Sequence, residues 1–187
     1  MEDALPAERT LNGIPRVDLA DRPRWKNTLT WWAGGRLAAT ETGLALWRRF
    51  AAPLEAPFIK LTRGRLRLNP AIPIVVLTST GARSGQSREI PLAYFTDCDD
   101  VILIASNYGG ERHPAWYHNL IAHPDCELSI GPRGGHFLAH EVTGADRDRL
   151  YALAADRLAK VFAVEEQRSG ARKIPVLRLS PQPARVS

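Results

Sequence analysis

Short runs of apolar and β-branched residues recur along the chain after residue 69, and each run predicts a β-strand. The stretch 72–80 is a continuous run of this kind and predicts a buried strand. Pro91 lies within the second run and indicates a strand edge or a bulge. Glycines at 131–135 predict a hairpin between two later strands. The six predicted strands cover residues 72–80, 88–96, 101–106, 127–130, 137–143 and 174–179.

Two stretches follow the helical period instead. Residues 114–123 begin with a proline suited to a first helical turn and are followed by Pro124, which favours a helix end. Residues 146–162 predict a strongly amphipathic helix. Its apolar face comprises Leu150, Leu153, Ala154, Leu158 and Val161. Six closely spaced strands with two helices predict an α+β fold, a small and mostly antiparallel β-barrel over residues 69–181.

The N-terminal third has a different character. Residues 1–23 are polar and punctuated by prolines, which predicts a flexible lead-in. Residues 24–68 hold four of the five tryptophans, with apolar residues at roughly helical spacing, and predict a helical extension. Ten Lys/Arg and two acidic residues between Arg22 and Arg67 give this part of the chain a local charge of +8.

Composition narrows the functional classes. A chain of 187 residues with 44% hydrophobic and 24% charged residues is long enough for one domain with a core of its own. Its two cysteines, Cys98 and Cys126, form no CxxC motif, which argues against a zinc ribbon or a disulfide scaffold and favours a reducing, cytoplasmic location. The N-terminus lacks the apolar segment of a secretory signal, and no apolar run is long enough to span a membrane.

The segment 78–88, Thr-Ser-Thr-Gly-Ala-Arg-Ser-Gly-Gln-Ser-Arg, is the first candidate binding site. Its glycines allow backbone N–H groups to approach an anion, and Ser84, Arg83 and Arg88 add donors suited to phosphate or carboxylate. It lacks the lysine of a phosphate-binding P-loop and the glycine pattern of a nucleophile elbow. From composition alone, a solvated polar turn is an equally good interpretation.

Two further segments carry candidate chemistry. The segment 106–110, Ser-Asn-Tyr-Gly-Gly, follows an apolar strand and offers backbone to a flat ligand, although a simple glycine loop is the plainer interpretation. The segment 113–120, His-Pro-Ala-Trp-Tyr-His-Asn-Leu, adds a helix N-terminus and two aromatic rings, which are more often core residues. The histidine spacing does not favour a metal site, and no signature of a nucleophilic triad is present.

Taken in order, these segments resemble the deazaflavin-dependent nitroreductase and quinone reductase family of FMN-binding-like split β-barrels. The resemblance rests on residues 78–88, Pro91-Leu92, residues 106–110, residues 114–120 with His123-Pro124, and Arg172-Lys-Ile-Pro175. It implies an oxidoreductase that uses coenzyme F-420, an 8-hydroxy-5-deazaflavin, to reduce a quinone-like, nitroaromatic or other electron-poor acceptor. FMN as cofactor, or a non-catalytic cofactor- or lipid-binding protein, are the alternatives.

The resemblance also assigns roles to residues. It places the phosphate and acidic tail of the cofactor on Arg83, Ser84, Gly85 and Arg88. It places the deazaflavin ring beside Pro91, Leu92, Ser106, Asn107, Ala115 and Trp116. Ser106 is also expected to steady charge on the acceptor, and Tyr94 and Tyr108 are expected to contact it. Peripheral membrane contact through residues 24–68 suits a quinone reductase, and a helix that packs on the barrel is an equal alternative. Nucleic-acid binding lacks any supporting motif.

Overall fold

Six antiparallel strands close into a barrel at the centre of the fold. The computed structural model describes residues 10–19, 72–159, 161–168 and 172–183. The strands are β1 (Thr10–Leu11), β2 (Ile14–Pro15), β3 (Ile74–Thr80), β4 (Ser87–Asp97), β5 (Asp100–Ile104), β6 (Asp125–Ile130), β7 (Arg133–Val142) and β8 (Val176–Pro181). Around the barrel their order is β3-β4-β5-β8-β7-β6, and all neighbours are antiparallel. The α+β barrel predicted from the sequence is therefore confirmed.

Strand β4 changes partner along its length. Residues 87–93 pair with β3, and residues 94–97 pair with β5. Within the described residues, the side of 87–93 that faces away from β3 therefore has no partner strand. Pro91 lies in this one-sided stretch, where its missing N–H costs no ladder bond, so the predicted strand edge is confirmed.

Two apolar clusters share the barrel wall. The first fills the interior and includes Val75, Leu77, Val101, Leu103, Phe137 and Leu177. The second lies on the outer face and includes Phe95, Ile102, Ile104, Leu150, Leu158 and Val176. Strand β5 contributes to both, since Val101 and Leu103 point inward while Ile102 and Ile104 point outward. Burial on both faces explains why this strand is an unbroken apolar run.

The helices are α1 (Ala115–Ala122), α2 (Gly144–Leu153) and α3 (Val161–Arg168), with a π-helical turn at Ala154–Leu158. The single helix predicted over 146–162 is therefore wrong beyond Leu158, because Ala159 is extended (φ −155°, ψ 124°). The wider π turn keeps Leu158 in the core at 1% exposure. The extended residue then redirects the chain, so that the Phe162 ring packs 6.5 Å from the Tyr151 ring.

The hairpin between β6 and β7 is tighter than predicted. Ile130 pairs with Arg133, so only Gly131 and Pro132 form the turn. Gly134 and Gly135 belong to β7, where a side chain would collide with neighbouring atoms. A Cβ atom on Gly134 would collide with the Leu128 carbonyl oxygen, and one on Gly135 would lie 2.7 Å from the Asn12 Cβ atom.

Residues 10–19 differ from the flexible lead-in predicted for 1–23. They form the β1–β2 hairpin, which buries Leu11, Ile14 and Leu19 completely or nearly so. The Asn12 side-chain amide donates hydrogen bonds to the carbonyl oxygens of His136 (2.9 Å) and Gln182 (2.7 Å). These partners are far away in the sequence, which is why a local pattern did not predict the packing.

The predicted tryptophan-rich extension, residues 24–68, lies outside the described residues, as does its predicted membrane contact. Among the described helices, none has the length and apolar character needed to span a membrane.

Candidate functional site

The turn between β3 and β4, residues 81–86, is tightly closed by its own backbone. The Gly81 N–H donates to the Gln86 carbonyl and the Gly85 N–H to the Gly81 carbonyl, both at 2.8 Å. The Ser84 hydroxyl accepts from the Gln86 N–H at 3.3 Å. Gly85 is in the left-handed region (φ 65°), and no atom lies within 4 Å of the position a Cβ would take. The turn is therefore compact at its base and open at Gly85.

Two arginines give this turn a positive surface. Arg83 and Arg88 are both exposed. The Arg88 guanidinium donates to the Gln86 side-chain oxygen at 3.1 Å, which is a neutral acceptor. Among the described residues, no carboxylate lies within salt-bridge distance of either arginine. The turn therefore presents two uncompensated cationic forks, the arrangement that favours a phosphate or carboxylate ligand.

Helix α1 is fixed against the turn by Asn119. Its side-chain oxygen accepts from the Ala82 N–H at 3.0 Å, and its side-chain amide lies 3.5 Å from the Ser79 hydroxyl. The same helix is anchored in the barrel core by Trp116 and Leu120, which are 5% and 1% exposed. Ala115, at the start of α1, is exposed. The helix thus connects the barrel interior to the 81–86 turn.

The loop after β5 is held in an unusual conformation. Asn107, Tyr108 and Gly109 all have positive φ angles, of 51°, 54° and 72°. Left-handed backbone costs about 1–3 kcal/mol for a residue other than glycine and persists only where surrounding contacts enforce it. The Asn107 side chain supplies one such contact by donating to the Arg112 carbonyl at 2.9 Å. Ser106 is buried at the base of this loop, and Tyr108 is 45% exposed.

Arg172, just before β8, joins this loop to the residues that precede α1. Its guanidinium donates to the Ser106 carbonyl at 2.8 Å and to His113 Nδ1 at 3.0 Å. Burial, followed by the positive charges of Arg172 and His118, holds the pKa of His113 below its ordinary value of 6.5. The Tyr117 ring lies 4.9 Å from that of His113, and the Tyr117 hydroxyl donates to Glu141 at 2.9 Å. Burial first, and then Glu141, raise the pKa of Tyr117 to about 12.

The structure places the predicted site residues in two groups. The turn residues Arg83, Ser84, Gly85 and Arg88 are exposed, while Pro91 and Leu92 are half-buried on the one-sided stretch of β4. Ser106 and Asn107 lie in the left-handed loop. His113 and Asn119 connect the groups, because His113 bonds to Arg172 beside the loop and Asn119 bonds to Ala82 in the turn.

Two aromatic residues lie deeper than predicted. Tyr94 is 2% exposed, and its hydroxyl donates to the Pro15 carbonyl at 3.1 Å. The Tyr94 hydroxyl is hydrogen-bonded inside the barrel, and this placement corrects the expectation that Tyr94 contacts the substrate. The Trp116 side chain likewise belongs to the interior cluster, whereas Ala115 at the start of α1 is exposed.

Sequence reasoning missed the joining roles of Arg172, His113 and Asn119. Arg172 and Asn119 stood within the segments that carried the resemblance, and His113 immediately before one of them, but none received a function. Asn119 was detectable in principle, because an amide one helical turn beyond Trp116 can reach a neighbouring loop. The contact between Arg172 and His113 spans 59 residues of sequence and left no local signal.

The residues present fit a cofactor that has a phosphate-bearing tail and a flat ring. Arg83, Arg88 and the open Gly85 suit the anionic tail. The half-buried apolar edge of β4 at Pro91 and Leu92 suits a ring face. Among the described residues, no cluster of three or more His, Cys, Asp or Glu side chains could hold a metal ion.

Comparisons with known proteins agree with this fit. The sequence model of the F420H(2)-dependent quinone reductase family matches residues 59–181. An F420H(2)-dependent quinone reductase of Mycobacterium tuberculosis is 37% identical over 123 residues, which cover 64% of this chain and 82% of that protein.

Two solved structures share the fold. One, described as an F420-H2 dependent reductase, superimposes with a TM-score of 0.52 at 31% identity, covering 58% of this chain and 94% of that one. The other, described as a domain-swapped dimer, gives a TM-score of 0.54 at 28% identity, covering 72% and 97%. With its barrel, its cationic turn and a family match that covers residues 59–181, this chain belongs to the F420H(2)-dependent quinone reductase family, whose cofactor is coenzyme F-420.

Proposed function

We propose that this protein reduces a quinone-like acceptor with reduced coenzyme F-420 bound at the 81–86 turn. The observation that carries the proposal is the pair of exposed arginines, Arg83 and Arg88, with no carboxylate partner in the described residues, on a turn fixed against α1. Exposed guanidinium groups without a carboxylate partner remain able to bind an anion through charge-assisted hydrogen bonds. The arrangement therefore suits a ligand that carries a phosphate or a carboxylate.

Each group of residues has a role in this proposal. Arg83, Arg88 and the Ser84 hydroxyl donate hydrogen bonds to the phosphate and the acidic tail, and Gly85 leaves room for it. Pro91 and Leu92 on β4, Ser106 and Asn107 on the loop, and the Ala115-Trp116 backbone flank the ring. Tyr108, half-exposed on the same loop as Ser106, contacts the acceptor.

The chemistry of hydride supply belongs to the bound cofactor, and the protein contributes orientation, exclusion of water and polar contacts. Ser106 is the residue placed to steady the acceptor, because its hydroxyl belongs to a buried residue at the base of a loop with fixed geometry. A fixed donor stabilises developing negative charge without reorganising during the reaction. No side-chain nucleophile is required.

Fluorescence titration of the purified protein with oxidised coenzyme F-420 tests the cofactor site, with FMN titrated in parallel. We expect saturable binding of F-420, weakened by Arg83→Ala and by Arg88→Ala by roughly 10- to 100-fold each, the range for a charge-assisted hydrogen bond. Arg157→Ala is the matched control, because Arg157 is an exposed arginine beside Asp156 on the π turn. Preference for FMN, or equal losses in all three variants, would overturn the assignment.

Turnover of F-420H2 with menadione tests the acceptor class. We expect oxidation of the reduced cofactor to depend on both protein and quinone, and to fall in Ser106→Ala with cofactor affinity retained. Saturable binding without turnover of menadione or a nitroaromatic compound would favour the alternative of a non-catalytic cofactor-binding protein.

Membrane contact through residues 24–68 remains a prediction from sequence. Co-sedimentation with vesicles of anionic phospholipid, compared with zwitterionic vesicles, tests it. Binding restricted to anionic vesicles and abolished by high salt would support contact of the +8 stretch with lipid headgroups.

A further inference from the structure

Arg172 contacts two separate segments with one guanidinium group. One nitrogen donates to the Ser106 carbonyl at 2.8 Å, and the other lies 3.0 Å from His113 Nδ1 and 3.5 Å from the Ala105 carbonyl. Ala105 and Ser106 lead from β5 into the left-handed loop, and His113 leads into α1. The planar fork of arginine can hold both ends of this loop at once, which a lysine ammonium cannot do as well.

The loop between these ends needs an external constraint. Two successive residues other than glycine, Asn107 and Tyr108, are left-handed. The Ser106 carbonyl accepts both the Gly109 N–H at 3.1 Å and the Arg172 guanidinium, so one atom closes the turn and ties it to Arg172. Removal of the guanidinium would break the hydrogen bonds that join the Ser106 carbonyl and His113 to the residue before β8.

The contact with Arg172 determines which nitrogen of the His113 ring carries the proton. Arginine has only donors and stays protonated, so Nδ1 of His113 must be the acceptor, and a neutral ring then carries its proton on Nε2. Among the described residues, the charged and titratable groups around the ring are Arg172, His118, Glu141 and Tyr117. The positive charge of Arg172, and that of His118 when protonated, oppose protonation of His113, and Glu141 favours it. A proton on Nδ1 would remove the acceptor and place a second positive charge beside Arg172.

We propose that Arg172 is a positioning residue which, with neutral His113, holds the Ser106–Gly110 loop in the geometry that the acceptor meets, and that protonation of His113 releases the loop. The link to acceptor reduction rests on the proposed function. The constraint on the loop does not, since it is a property of the protein without ligand.

Hydrogen–deuterium exchange on the ligand-free protein tests the constraint directly. In Arg172→Gln we expect peptides covering 105–112 to lose at least about 10-fold in protection, while those covering strand β6 stay unchanged. Arg172→Lys keeps the charge but loses the planar guanidinium, so its protection at 105–112 should lie between that of the wild type and that of Arg172→Gln. It replaces Arg172→Gln in the experiment if that variant fails to fold. Unchanged exchange at 105–112 in both variants would overturn the proposal.

Titration of the His113 imidazole by NMR tests the histidine. We expect an Nε2-protonated ring in the wild type and a rise in the His113 pKa in Arg172→Gln, because one cationic neighbour is gone. Lowering the pH through the His113 pKa should raise exchange at 105–112 in the wild type. In His113→Asn, whose side-chain oxygen can accept the same bond without titrating, that pH dependence should disappear. An Nδ1-protonated ring, or the same pH dependence in His113→Asn, would contradict the role of His113.

Enzyme kinetics then test the link to the reaction. The acid decline of kcat/KM for menadione should follow the His113 titration and be absent in His113→Asn. The Kd for F-420 should change much less across this pH range, because the 81–86 turn that holds the anionic tail is not part of the released loop. If the wild-type protein neither binds F-420 nor reduces a quinone, the proposed function fails while the exchange and NMR results still decide the constraint. If it does both and the acid decline persists in His113→Asn, the link fails alone.

Discussion

Arginines lie near both ends of strand β4, which are roughly 33 Å apart for a strand of eleven residues. At the end near Asp97, Arg149 binds both carboxylate oxygens of Asp97, at 3.0 and 2.9 Å. Arg178 lies 3.0 Å from each of Asp97, Asp100 and Asp146. At the other end, Arg83 and Arg88 meet no carboxylate in the part of the chain that the structure describes. Among the described residues, the arginines near one end of β4 are therefore paired with carboxylates, whereas those near the other end are not.

The arginines near the two ends of β4 differ in their partners. The five residues Asp97, Asp100, Asp146, Arg149 and Arg178 form a network in which hydrogen bonds from Arg149, opposed by burial and assisted by Arg178, lower the pKa of Asp97. The charges of these five residues are paired with one another within the fold. Arg83 and Arg88 at the 81–86 turn have no carboxylate partner among the described residues. We infer a ligand site from this lack of a partner and not from the number of arginines.

Removal of one network carboxylate should give the largest effect. Asp97→Asn is nearly isosteric but leaves Arg149 and Arg178 with one charged partner fewer. Since the Asp97 side chain is only 15% exposed, we expect a loss of about 2 kcal/mol in the free energy of unfolding. Urea denaturation measures it through the midpoint at unchanged slope. An unchanged midpoint, or a weaker affinity for F-420, would show that the two turns do not divide their roles as described.

The reverse exchange at the other turn should be somewhat smaller. Gln86→Glu replaces the neutral acceptor 3.1 Å from the Arg88 guanidinium with a carboxylate, and so makes this turn resemble the network. We expect the affinity for F-420 to fall by roughly 10-fold, about 1.4 kcal/mol, because the added charge competes for Arg88 and repels the phosphate. The thermal midpoint should stay within about 2 °C of the wild-type value. Unchanged affinity would place the phosphate elsewhere.

Acid should weaken the network before it affects the turn. The pKa of Asp97 is lowered in the folded state, so its contribution to stability is complete above the ordinary value of 3.8 and is lost as the pH falls below it. The unfolded chain takes up the proton first in that range. Thermal unfolding between pH 6 and pH 3 should therefore show a decline that is shallower in Asp97→Asn. Parallel declines in the two proteins would assign acid sensitivity to other carboxylates.

Salt should give the smallest and most selective effect. Exposed arginines at the 81–86 turn are screened by ions, whereas the Arg178 side chain is only 16% exposed. From 50 to 500 mM NaCl we expect the Kd for F-420 to rise by several-fold, on the order of 1 kcal/mol or less, with little change in the urea midpoint. A larger shift in stability than in affinity would reverse the comparison.

Local patterns predicted the barrel well because its strands are buried and their apolar runs are short and separated by turn residues. The 81–86 turn was identifiable for a similar reason, since its glycines, hydroxyl and arginines are contiguous. Failures arose where distant residues decide the structure. Position 135 is glycine because Asn12 packs against it, and the predicted helix ends early because Ala159 is extended. Tyr94 is buried, with its hydroxyl bonded to the Pro15 carbonyl.

The position of Asn12 also has a consequence for how the chain folds. Its side chain bonds to the carbonyl oxygens of His136 and Gln182, which are 124 and 170 residues later in the chain. Contacts of such sequence separation incur a large loop-closure entropy and form late, after local hairpins such as β6–β7. The N-terminal hairpin contacts β6 and β7, and its bond to the Gln182 carbonyl forms only when the residues after β8 are in place. We therefore expect docking of this hairpin to be a late step in folding, in which the Asn12 side chain joins the two ends of the described chain.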